Sequence, residues 1–134
     1  MVHSRRNVET LLGSLAAYDR VIEVGIGRRT DIAAALAARD VSVTATDVHD
    51  RDVPDGARFV RDDIVDPDLS VYTDADAIYA LNLPPELHQP ALEVARAADA
   101  DFLFTTLGGD QPMVPVERRT IESGTVYVAR ATER

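Results

Sequence analysis

Apolar residues recur along this chain with two rhythms, one of three to four residues and one of two or none. In residues 5–17, RRNVETLLGSLAA, Val8, Leu11, Leu12 and Leu15 stand at helical spacing, with Ser4 as a cap. VIEV (21–24) is a short apolar run holding one acid, and predicts a strand. TDIAAALAAR (30–39) predicts an alanine-rich helix with Ile32 and Leu36 on one face, and VSVTAT (41–46) a β-branched strand. Residues 48–56 are polar, contain Pro54 and Gly56, and read as a loop before a short strand at 57–60, ARFV. The acid-rich stretch 61–75 is interrupted by Pro67. DAIYALN (76–82) predicts a strand stopped by Pro84 and Pro85. Residues 86–98 predict a helix with Leu87, Leu92, Val94 and Ala95 inward, and Pro90 in its first turn or at a kink. DFLFTTL (101–107) predicts a buried strand, residues 115–123 a short helix, and TVYVARA (125–131) a last strand.

Strands that alternate with helices imply βαβ units and a mainly parallel sheet. The expected fold is α/β: a doubly wound, Rossmann-like sheet of about six strands in the order 3-2-1-4-5-6. Right-handed crossovers put helices on both of its faces. The chain of 134 residues is expected to form one domain, 1–134. The pattern leaves the direction of the last strand open.

Composition adds three exclusions and one oddity. With no cysteine there are no disulfides, thiolate metal sites or cysteine nucleophiles. No stretch reaches the ~20 apolar residues that span a bilayer, so no membrane partner is expected. MVHSRRNVETLLGS lacks the apolar core of a signal peptide, which makes a cytoplasmic location the default. The oddity is charge: all fourteen basic residues are arginine, against 23 acids, for a formal net charge of −9. Acid excess without lysine resembles proteins of salt-loving archaea, in which a solvated acidic surface is adapted to high salt. The alternative is a cationic partner. Either way direct nucleic-acid binding is disfavoured, because phosphate needs a basic face.

Candidate chemistry gathers at predicted strand ends. In an open parallel sheet, ligands sit beyond the carboxyl ends of the strands at the switch point. There the first strand brings Glu23, Gly25 and Gly27, the second Asp47, the third Asp62 and Asp63, and the fourth Asn82. The two glycines permit a tight turn and close backbone approach. The following helix start favours something anionic. Arg28 and Arg29 either neutralise a carboxylate or phosphate there or pair with nearby acids. Asp47, twenty residues past Gly27, is placed to accept bonds from both hydroxyls of a ribose. Asp63 is placed to receive an adenine amine, and Asn82 can present its amide. The expected ligand is therefore a nucleoside.

The pattern Glu23-x-Gly25-x-Gly27 resembles the first motif of Rossmann-like methyltransferases that bind S-adenosylmethionine. That resemblance implies that Glu23 helps seat the methionine moiety, Asp47 holds the ribose and Asp63 contacts adenine. NAD is the alternative cofactor, as in regulatory domains whose turn resembles Gly27–Arg28. Glu23, and Thr30 where the dinucleotide fingerprint has glycine, argue against it. Nearly the whole chain is similar to a narrower group, uncharacterised protein family 0146, small archaeal proteins with a methyltransferase-like core. The likeness rests on EVGIGRRTDIAAAL, ATD at 45–47, RDDI at 61–64 and IYALNLPPEL at 78–87. It implies a fold but no reaction.

Two departures bear on activity. Amine methyltransferases often end the fourth strand with N-P-P or D-P-P and an aromatic, whereas here Leu83 separates Asn82 from Pro84–Pro85 and no aromatic follows, so the prolines read as a strand stop and helix start. Little chain follows residue 131, so an acceptor pocket would need a partner subunit such as a second copy. No catalytic base stands out, with Asn82 and Asp110 as the only guesses. His3, His49 and His88 lack metal-ligand spacing. His49 lines the ligand pocket or sits in solvent. Tyr79 is expected in the core, and Gly108–Gly109–Asp110 as a plain turn or a ligand-side loop. The readings that remain are a small S-adenosylmethionine-dependent methyltransferase and a non-catalytic adenosine- or NAD-binding regulatory module.

Overall fold

The structure, a computed structural model of the chain, describes residues 2–121 and 124–131. Helix α1 (Val2–Leu15) precedes strand β1 (Arg20–Val24), helix α2 (Asp31–Ala37), and strands β2 (Ser42–Asp47) and β3 (Ala57–Arg61). Strand β4 (Ala77–Ala80), helix α3 (His88–Ala98) and strand β5 (Asp101–Phe104) follow, then strands β6 (Glu117–Ile121) and β7 (Gly124–Ala129). Two 3-10 turns, Leu69–Val71 and Pro85–Leu87, precede β4 and α3.

The described strands form one sheet in the order β3-β2-β1-β4-β5-β7-β6. β1 to β5 are parallel, and β7 runs antiparallel to both β5 and β6. Side chains alternate between faces, so each strand feeds two cores. Ile22, Ile78, Phe102 and Phe104 pack under α3 with Leu92 and Ala95. Val21, Val43, Ala45, Tyr79 and Leu103 pack under α1 and α2 with Leu11, Leu15, Ile32 and Leu36. The central strands are apolar on both faces because both are covered. The doubly wound, mainly parallel sheet with helices on both faces is thus present, with one strand more than the pattern suggested.

That extra strand corrects a local reading. Residues 115–123 predict a short helix, but 117–121 is the edge strand β6, with Arg118 opposite Tyr127 and Arg119 opposite Val126; residues 122–123 lie outside the described residues. Pairing with β7 overrides the helical preference of Glu and Arg, a common outcome where a neighbouring strand offers a ladder. The hairpin also places β7 between β5 and β6, which fixes its direction. Helix boundaries move as well. α1 starts at Val2, ahead of Ser4, whose side chain, like those of Val8 and His3, lies outside the described residues. α2 spans only Asp31–Ala37, shorter than 30–39, because Asp40 turns left-handed at φ +63° and ends it. Pro90 sits in the first turn of α3, where its missing N–H costs nothing.

Candidate functional site

Because β1 to β4 are parallel, their C-terminal ends share one edge, and the chain leaves β1 and β4 toward opposite faces. The gap between those exits is the switch point. A cleft of about 350 Å³ opens there, within the range typical of small-molecule sites. Gly25, Asp47, Asp63 and Asn82 line it together. Leu81, Leu83, Pro84 and Leu87 from the segment after β4 give it an apolar wall opposite Asp47, Asp62 and Asp63. Larger grooves of about 640 and 620 Å³ lie at the N-terminal ends of β1 to β3 and between α3 and β6–β7, away from these acids.

The glycine turn is fixed against β2. The Ile26 N–H donates to the Thr46 carbonyl at 3.0 Å, and the Gly27 N–H to Asp47 Oδ2 at 2.8 Å. Both glycines adopt the left-handed region, φ +67° at Gly25 and +58° at Gly27, where a β-carbon brings strain. Asp47 Oδ1 accepts from the His49 N–H at 3.0 Å. Arg51 Nε lies 3.5 Å from Oδ2 as an ion pair, without an aligned hydrogen bond, and is itself buried without an acceptor. Burial pushes the Asp47 carboxyl up, but the two amide donors and the Arg51 charge outweigh it and hold it below the usual carboxylate value. Asp47 is therefore an ionised acceptor at the cleft wall. The His49 side chain is exposed, and its backbone is what serves the site.

Glu23 is placed differently. It shares a sheet face with Val21 and Tyr79, is fully buried, and does not line the cleft. Tyr79 donates its hydroxyl to Oε1 at 2.7 Å, while Oε2 has no partner among the described residues. Burial raises the Glu23 carboxyl to about 8, against a partial pull downward from the Tyr79 hydrogen bond; Asp31 adds to the rise and Arg29 opposes it. Tyr79 is core, as its pattern suggests, but its hydroxyl is committed to Glu23. The pair keeps its proton at neutral pH.

The adjacent acids after β3 have separate jobs. Asp62 accepts from the Tyr72 hydroxyl at 2.6 Å and from the Asp68 N–H at 2.9 Å, which spends it on holding its own loop. The Asp63 carboxylate accepts the Val65 N–H at 2.9 Å, and the residue is exposed at the cleft. Asn82 is left-handed at φ +50°, and its N–H is held by Thr105 Oγ1 at 2.9 Å. Asparagine and aspartate adopt that region more readily than other side chains, as Asp40 and Asp99 do after α2 and α3.

Two supports of the cleft escaped the sequence reading. Arg51 is one, four residues past Asp47 in a loop that carries no motif. The other is His88, fully buried at the start of α3 and tilted against Phe104 at 4.6 Å between ring centroids. Its Nε2 donates to the Leu83 carbonyl at 2.9 Å, and its Nδ1 accepts from the Met113 N–H at 3.0 Å. It thereby ties the wall after β4 to the segment after β5. Arg28 and Arg29 make no ion pair among the described residues. Arg28 is exposed and does not line the cleft. α2 already carries Asp31 in its first turn, which answers its own dipole. Asp110 and Gly108–Gly109 lie in an exposed turn outside the cleft. No group of three or more metal-ligating side chains comes together among the described residues.

The family model of the uncharacterised protein family UPF0146 matches residues 6–132. The chain belongs to that family. A UPF0146 protein of Halobacterium salinarum is 55% identical over 122 residues, covering 90% of this chain and 95% of that protein. Another UPF0146 protein, from Archaeoglobus fulgidus, is 48% identical over 91 residues, covering 68% and 70%. Among solved structures, an RNA methyltransferase of Salinibacter ruber in complex with S-adenosyl-L-homocysteine overlays with a TM-score of 0.64. It is 16% identical, with 91% of this chain and 88% of that one covered. Magnesium protoporphyrin IX methyltransferase of Synechocystis, with bound S-adenosylmethionine, gives 0.63 at 11% identity, covering 95% and 78%. At such identities this UPF0146 chain shares a fold with these methyltransferases. No helix among the described residues is long and apolar enough to cross a membrane.

Proposed function

We propose that this UPF0146 protein binds S-adenosylmethionine in the cleft at the ends of β1 to β4, as a methyltransferase-like protein. The observation that carries the reading is the convergence there of Gly25, Asp47, Asp63 and Asn82. The residues present fit such a ligand. An ionised Asp47 at the wall can accept from a sugar diol, and Asp63 keeps one carboxylate oxygen without a partner for an exocyclic amine. Glu23 Oε2 is buried without a hydrogen-bond partner among the described residues. When bound, S-adenosylmethionine would supply an electrophilic methyl group on a sulfonium. In this reading Asp47 orients the sugar, Asp63 selects the base, and Glu23 answers the ammonium of the aminoacyl tail. The wall of Leu81, Leu83, Pro84 and Leu87 excludes water, and Asn82 presents its amide toward an acceptor. Catalysis would then rest mostly on placement.

A binding module without chemistry is the second reading. Its support is that Leu107 and Met113, in the segment after β5, stay exposed with no cap over them among the described residues, and that Asp110 is outside the cleft. Titration calorimetry at molar salt with S-adenosylmethionine, S-adenosylhomocysteine and NAD tests the ligand. The sulfur ligands are expected to bind, and D47A to weaken them at least about tenfold, as loss of a charge-assisted contact does. Tight NAD binding with no response to either sulfur ligand overturns the reading. Transfer of labelled methyl to any cell extract distinguishes the enzyme from the module.

A further inference from the structure

Donors from three parts of the chain converge on one carboxylate at the end of β2. The Gly27 N–H, from the turn after β1, donates to Asp47 Oδ2 at 2.8 Å, and the His49 N–H donates to Oδ1 at 3.0 Å. Arg51, from the loop before β3, brings its Nε to 3.5 Å from Oδ2, and that Nε is buried without an aligned acceptor. Two backbone amides and a guanidinium around one point are the kind of donor set that holds a phosphate or sulfate. Here the chain supplies the anion itself. The rest of the cleft offers an anion little. Its charged lining residues are Asp47, Asp62 and Asp63, and no arginine or histidine lines it among the described residues. Asn82 is the one lining residue with a side-chain N–H. Arg61, at the end of β3, donates its Nε to the Val48 carbonyl at 2.9 Å. The bordering amides are committed too: Ile26 donates to the Thr46 carbonyl, Val65 to Asp63 and Leu83 to the Thr105 carbonyl. A phosphate placed there would face carboxylates with no free cation beside it, and an anion desolvated without partners is strongly disfavoured.

We propose that Gly27, His49 and Arg51 form an anion cradle which Asp47 fills from within the chain, and that this internal anion makes the cleft select phosphate-free nucleosides over nucleotides. The inference rests on the nucleoside reading above and deepens it by naming the substrate class. Asp47 keeps its donors while it accepts from a sugar: each carboxylate oxygen has two lone pairs, and each amide takes one. Arg51 does not line the cleft. It is a positioning residue that acts through Asp47, placing a positive charge beside the carboxylate and holding it in the cradle. The same three donors would turn to any anion that took the place of that carboxylate. Residue 47 therefore decides the class of ligand: with aspartate the cleft takes hydroxyl donors, and without it the cradle is open to oxyanions.

Inorganic phosphate tests the cradle with no nucleoside present. In an NMR titration at constant ionic strength, phosphate is expected to shift the Gly27 and His49 amide signals of D47A saturably and to leave those of the wild type in place. No saturable shift in folded D47A, or equal shifts in the two proteins, overturns the cradle. D47A/R51Q is expected to lose at least about tenfold of the phosphate affinity, and D47A/R51K to keep most of it. Loss in both double variants, or in neither, overturns the role given to the Arg51 charge. The wild-type chain tests the selectivity and needs no variant to fold. Calorimetry is expected to show adenosine binding at least about tenfold more tightly than adenosine 5′-monophosphate. Equal or tighter binding of the monophosphate overturns the selectivity but leaves the nucleoside reading standing. Failure of both adenosine and the monophosphate to bind removes that reading and the selectivity together, while the phosphate response of D47A still decides the cradle.

Discussion

Glu23 is a carboxyl held where water does not reach, with one hydroxyl donor and a neighbouring Asp31. Its folded value of about 8 stands above the ordinary 4.5, so between those values the folded chain keeps a proton that the unfolded chain has lost. This residue's contribution is most favourable below about pH 4.5 and is lost as pH rises toward 8. E23Q is expected to flatten that dependence, with the difference between wild type and variant growing to a few kcal/mol by pH 8. Urea unfolding at fixed salt across pH 5 to 8 measures it, and parallel curves for the two proteins refute it. Asp47 has the opposite sign: its lowered carboxyl stabilises above the unfolded value, and that stability is lost as pH falls through the folded one. Asp62 and Asp63 are separable by the same logic of partners. D62A removes the acceptor of the Tyr72 hydroxyl and of the Asp68 N–H, and is expected to cost about 1–3 kcal/mol of stability. D63A is expected to leave the melting temperature nearly unchanged and to weaken adenosine-ligand binding; calorimetry and thermal melts on both variants decide. Sequence spacing made Gly25, Gly27 and Asp47 legible, because a single strand-turn-helix-strand unit joins them. It did not separate Asp62 from Asp63, since the difference comes from Tyr72 and Asp68 in a later turn, nor reveal that Glu23 is enclosed, since Tyr79 lies 56 residues away.

Among the elements, the start of α3 does more than begin a helix. His88 bridges the Leu83 carbonyl and the Met113 N–H, so it fixes the spacing between the two segments at one end of the cleft. H88A would open a cavity beside Phe104 and leave both backbone groups unpaired. A loss of roughly 2–4 kcal/mol is expected, together with faster amide exchange at Met113. Unchanged protection at Met113 in a folded H88A protein would show that the bridge does not hold the segment. The glycine turn is a second such element. G25A has room for its methyl, so its expected cost, about 1–2 kcal/mol, comes from left-handed backbone alone. Most elements were readable from periodicity: β1 to β5, the apolar faces of α1 and α2, and the Pro84–Pro85 stop all follow short-range pattern. β6 was not. Glu117, Arg118 and Arg119 suit a helix locally, and only the ladder to β7 makes them a strand. The bridge by His88 was equally invisible, because its partners lie on both sides of it in sequence and meet only after β5 is laid beside β4.

At the scale of the whole molecule, a formal charge of −9 without lysine makes the exposed acids repel one another. Repulsion among exposed acids is screened over about 10 Å at 0.1 M salt and about 3 Å at 1 M. The thermal midpoint is expected to rise with KCl over that range, and a midpoint independent of salt would contradict a charge-limited fold. The sheet brings Asp47, Asp63 and Asn82 to one edge although β1, which separates their strands in space, comes before all of them in the chain. By itself the sequence determined the strand-helix alternation, the doubly wound parallel order and the edge on which the polar strand ends would meet. These depend on local periodicity and on the handedness of crossovers, which neighbouring residues dictate. Only the tertiary structure decided which acids face the cleft, which is sealed, which are spent on their own loops, and that residues 117–121 are a strand. Those outcomes depend on burial and on partners distant in the chain, and neither exists until the two faces of the sheet are packed.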